Sequence, residues 1–114
     1  MAGERDLAKL LAGLNPKLYP ERYAFAADGE QGGWFALIHE AEGVTVIRPD
    51  PAGEWARISL SIHSSLEAVG LTAELSRRLA DAGISANIVA ALNHDHLFVP
   101  WQRREEALGL LRSA

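Results

Sequence analysis

The strictest constraint in this chain is an alternation. Ala56, Ile58, Leu60 and Ile62 take turns with Arg57, Ser59, Ser61 and His63. A period of two over eight residues specifies a strand with one apolar and one polar face. It commits the chain to a sheet covered on one side, and something with an apolar stripe must supply the cover. The segment that follows does so. Leu71, Leu75 and Leu79 recur at helical spacing, and Gly83 stands where a helix stop belongs. Glu74 and Arg78 form an i, i+4 pair on the outer face of that helix.

Ser64 and Ser65 lie between the strand and the helical stripe, and both are good N-cap residues. Downstream, Ile84 to Leu92 reads as a strand, Asn93 to His96 as a polar turn, Leu97 to Val99 as the returning strand, and Arg103 to Leu111 as a last helix. The order from Ala56 onward is therefore βαββα. A ferredoxin-like unit is βαββαβ, so one strand is missing and its place needs another occupant. The N-terminal strands or a partner subunit can fill it.

Upstream, Asp6 to Leu14 is a short amphipathic helix that Asn15-Pro16 ends. Strands follow at Tyr23–Ala26, Trp34–His39 and Val44–Ile47, the last two joined by a turn at Glu42-Gly43. Pro49 to Gly53 reads as a linker. The fold class is α+β: a ferredoxin-like βαββα unit with an antiparallel sheet over residues 54–114, and an N-terminal αβββ half over residues 1–53.

The chain's 114 residues suit one compact domain or two small halves with a shared core. A net charge of -4, with basic residues scattered among acids, argues against a nucleic-acid partner. With no cysteine, disulfides and thiol chemistry are excluded, which fits a cytoplasmic protein. No apolar run is long enough to span a membrane.

A right-handed βαβ crossover makes the Ala56–Ile62 and Ala86–Leu92 strands parallel. Their ends then gather His63, Ser64, Ser65, Asp95 and His96 beside a helix N-terminus, which favours an anion. With Asp95 available for an ammonium group, that chemistry fits an amino acid. Plain capping by serine explains the same residues. Zinc held by His63, His94 and His96 is a rival reading, without helical ligand spacing behind it. A hydrolase built from Ser64 or Ser65 with a histidine and Asp95 is another, but the Gly-x-Ser-x-Gly elbow is absent. The tryptophans Trp34, Trp55 and Trp101 suit packing or an interface.

Several stretches are more distinctive than their composition: Ile62-His-Ser-Ser-Leu-Glu-Ala-Val-Gly-Leu-Thr-Ala73, Ile84-Ser-Ala-Asn-Ile-Val-Ala90 and His94-Asp-His-Leu-Phe-Val-Pro100. With Leu10-Leu-x-x-Leu-x-Pro16, Tyr23-x-Phe25 and Glu40-x-Glu-Gly-Val-Thr-Val-Ile47, they resemble small bacterial ACT domain-containing proteins across almost the whole chain. The resemblance implies two ACT-like halves in tandem and a non-catalytic regulatory role. It implies an amino acid or similar small ligand, a homodimer, and no cofactor, metal or catalytic residue. The ligand-binding positions it implies are Ser64, Ser65, Leu66, Val69 and Gly70, with Asn87, Ile88 and Val89 opposite. His63, Asp95 and His96 are additional polar contacts. The linker at Pro49–Gly53 is short for such a protein, and Ala91-Leu-Asn93 stands where relatives carry aromatic residues. A structural or protein-interaction module that has lost its ligand is the alternative.

Overall fold

The protein was analysed as a computed structural model, which describes residues 6–27, 32–62 and 68–112. The elements run α1 Leu7–Ala12, β1 Pro16–Ala26, β2 Ala36–Glu40, β3 Gly43–Pro49, β4 Trp55–Leu60, α2 Leu71–Asp81, β5 Asn87–Ala90, β6 Asp95–Pro100, a 3-10 turn at Trp101–Arg103, and α3 Arg104–Arg112. The described strands form one six-stranded sheet in the order β2-β3-β1-β4-β6-β5. Every neighbouring pair is antiparallel. From β4 onward the order is the expected βαββα, and β4 and β5 are parallel with β6 between them. No helix among the described residues is long and apolar enough to cross a membrane.

The vacant place beside β4 is filled by β1. Its register pairs Pro16 with Leu60, Leu18 with Ile58, Arg22 with Ala56 and Tyr23 with Trp55. Four residue steps on β1, Leu18 to Arg22, face two on β4, Ile58 to Ala56. The excess forms a bulge that contains Pro20, where a missing N–H costs no ladder bond. Because the excess is even, the alternation of faces survives it. β1 thus begins well before the expected Tyr23.

The alternation in β4 sorts the molecule into two layers. Ala56, Ile58 and Leu60 are buried with Leu97 and Val99 of β6. Leu71, Leu75 and Leu79 of α2, Ala107, Leu108 and Leu111 of α3, and Leu10 and Leu14 pack on them. The opposite face is not simply polar. Tyr23, Ile47 and Phe98 are buried there, with Phe35, Trp55 and Val89 against them. Phe35 meets Tyr23, Phe98 and His96 edge-on, with ring centroids 6.4, 5.5 and 4.8 Å away. The predicted polar side of the strand is therefore half covered, and Ser59 is buried.

Two further boundaries near the candidate site differ from the sequence expectation, each for a local reason. The helix α2 starts at Leu71, later than the helix expected directly after Ser65. Its N-cap is Gly70, at φ 98°, with no side-chain cap. That backbone conformation suits glycine, and a Cβ there would also sit 3.2 Å from Leu7 Cδ2. The strand expected from Ile84 starts at Asn87. Gly83, at φ 72°, turns the chain, and Ile84 N–H donates to Leu79 O while its side chain closes the helix end.

The expected linker is a pinned turn. Ala52 N–H donates to Asp50 Oδ1, Gly53 N–H to Asp50 O, and Asp50 N–H to Arg22 O. Arg22 Nη1 in turn donates to Gly53 O.

Candidate binding site

The strand directions place the segment before α2 and the β5–β6 turn at one end of the sheet. Of the expected site residues there, His63, Ser64, Ser65 and Leu66 lie outside the described residues. Val69 is 83% exposed and Leu92, in the turn, 71%. They are the two most exposed large apolar side chains described. Gly70 packs against Leu7.

Asn87, Ile88 and Val89 lie on β5, at the margin of the sheet. Consecutive strand residues face opposite ways. Ile88 accordingly packs with the helix-side core, and Val89 with the aromatic layer. The three do not share one wall. What they do share is a strand whose outer backbone edge has no neighbour among the described residues.

The register brings Val89 beside His96 and Ala90 beside Asp95. Asp95 and His96 are both buried. His96 lies across from Ser59, with Ser59 Oγ 2.6 Å from His96 Nδ1. Arg57 Nε–H donates to the same Ser59 oxygen at 3.2 Å. Ser59 Oγ thus bridges the Arg57 Nε–H and His96 Nδ1, and the direction of its bond to the imidazole follows the tautomer. Burial first, then the charges of Arg57 and His94, push the His96 pKa down to about 4. The imidazole is therefore neutral at physiological pH. His94 closes the turn through its carbonyl, which accepts from Ala91 N–H, and its buried Nδ1 has no hydrogen-bond partner among the described residues. Among the described residues no cluster of three His, Cys, Asp or Glu is placed to hold a metal.

Sequence reasoning did not assign roles to Arg57, Ser59 or Phe35. The first two were visible as the polar positions of the alternating strand. Their partners are contributed by distant segments, so the constellation had no local signature.

Two family comparisons match the chain, each to an ACT domain. One spans residues 54–113 and the other residues 2–64. The chain belongs to the ACT domain family. ACT domains are generally regulatory modules that bind small ligands, and they are typically non-catalytic. The ACT chain is also similar to a Vibrio cholerae protein of unknown function, described as a possible transport protein. The two are 34% identical over 91% of this chain and 92% of that one, with a TM-score of 0.76. An Agrobacterium tumefaciens protein shares the fold at 20% identity and a TM-score of 0.63, over 84% of each chain. No curated protein sequence matches the chain.

Proposed function

We propose that this ACT protein is a non-catalytic, cytoplasmic regulatory module that binds an amino acid or similar small ligand at a homodimer interface. It is built of two ACT-like halves, residues 1–53 and 54–114. The ligand sits between Ser64, Ser65, Leu66, Val69 and Gly70 of one protomer and the Asn87–Val89 edge of its partner, with His63, Asp95 and His96 nearby.

The observation that carries this reading is the exposure of Val69 and Leu92 at the end of the sheet where β5 is open. Large apolar side chains that extended from the surface gain by association. An edge strand gains by pairing its free N–H and C=O groups. A second copy offers the same features in return, as a two-fold interface requires.

A thermal-shift screen of the proteinogenic amino acids tests the ligand. Ligand at about a hundred times its dissociation constant adds roughly 2.7 kcal/mol to stability. For a domain of this size that raises Tm by about 10 °C. Sedimentation tests the dimer, which V69D should weaken. A screen without any stabilisation, on a protein that is nonetheless a dimer, would leave only an interaction module.

A further inference from the structure

We propose that Arg57 forms a carboxylate-binding site on the helix-free face of the sheet, separate from the site at the sheet end. Arg57 projects from the middle of β4 into the aromatic layer. Its guanidinium carbon lies 4.0 Å from the Tyr19 ring centroid and 4.3 Å from that of Phe35, with Tyr23 at 5.8 Å. Nε donates to Ser59 Oγ at 3.2 Å and Nη1 to Tyr23 Oη at 3.0 Å. A guanidinium has five N–H donors, so three, including both on Nη2, have no acceptor among the described residues.

The acceptors that Arg57 does have are neutral hydroxyls. Other arginines of the chain are matched differently. Arg77 and Arg78 pair with Glu74, and Arg103 with Glu106. Arg104 donates to the Trp101 carbonyl. Arg57 is half-buried, makes no ion pair with any described residue, and repels a proton from its neighbour His96. Aromatic faces stabilise such a cation by about 0.5–2 kcal/mol, but they do not neutralise it.

The geometry also selects the ligand. Rings this close to the guanidinium restrict approach to its planar edge. A carboxylate is planar and accepts two parallel N–H bonds in that plane. The flanking rings then suit the carbon skeleton attached to it.

The test is an NMR titration of the full 15N-labelled chain with sodium succinate, following Arg57 Nε–H and the Ser59 amide. Sodium chloride at matched ionic strength and sodium phosphate serve as comparisons. Saturable shifts with succinate are expected at millimolar concentration. R57K keeps the charge but loses the planar fork, and should weaken binding at least about tenfold, the equivalent of one charge-assisted hydrogen bond. Y19L should also weaken it, and V69D should leave it unchanged. The proposal is overturned if chloride reproduces the shifts, if phosphate binds more tightly than succinate, or if folded R57K binds as the parent does.

Discussion

Replacing Gly53 by alanine tests how tightly the turn before β4 is seated against β1. An added Cβ would lie 2.2 Å from Tyr23 O, 2.5 Å from Tyr23 C and 2.9 Å from Tyr23 N. These are backbone atoms, so no rotamer change relieves them. Tyr23 is held on both sides, against Pro49 of β3 and Trp55 of β4. Ordinary contact requires the turn or β1 to move by roughly 1 Å or more. Overpacking of this kind costs about 1–3 kcal/mol, and the backbone has little slack here, so the upper part of that range applies. Stiffening of the unfolded chain returns about 0.4–1 kcal/mol. The net expectation for G53A is a loss of about 2 kcal/mol, lowering Tm by roughly 8–10 °C. Thermal and urea unfolding followed by circular dichroism measure it. Gly109, within α3 and with nothing within 4 Å of its Cβ position, is the control. G109A should be stabilising by up to about 1 kcal/mol. If G53A unfolds within about 0.5 kcal/mol of the parent, the range of an ordinary surface change, the pinned-turn argument is wrong.

The remaining predictions concern the aromatic layer. His96 has a folded-state pKa of about 4 against 6.5 when unperturbed. Its contribution is complete above about pH 6.5. As pH falls from there toward 4, the unfolded chain takes up a proton that the folded one refuses, and stability declines by up to about 1.4 kcal/mol per pH unit. H96Q should flatten that part of the stability–pH curve, and an unchanged slope would refute the assignment. Burial is the main cause of the depression, and Phe35 is the ring that meets the imidazole at 4.8 Å. F35A should therefore raise the His96 pKa toward 6.5 in an NMR titration, with a stability loss of about 2 kcal/mol for a half-buried ring.

Much of the second half was legible because its signals are periodic and local. The Ala56–Ile62 alternation gave the correct faces, and Leu71, Leu75 and Leu79 are all buried. Boundaries were less legible. Ser64 and Ser65 have the chemistry of a helix start, but the backbone turns at Gly70, whose conformation no side-chain preference announces. The first half was less legible. Pro16 read only as the end of a helix, yet it also opens β1, and Pro20 in the bulge had no reading. The Arg57 environment was not legible at all. Its rings come from β1 and the segment before β2, and its hydroxyl partners from β1 and β4, so tertiary pairing alone assembles it.

The seam between β1 and β4 also bears on how such a chain comes into being. Synthesised from its N-terminus, it makes β1, β2 and β3 first, and that three-stranded sheet, in the order β2-β3-β1, leaves one side of β1 without hydrogen-bond partners. Leu10 and Leu14 wait as well, since the core they join is built from β4, α2, β6 and α3. Completion depends on contacts as distant as Pro16 with Leu60, and such non-local closure slows folding. Cutting the chain between β3 and β4 would open this seam and take Leu10 and Leu14 out of the core, so a substitution on one side of the seam is judged by its fit to the other.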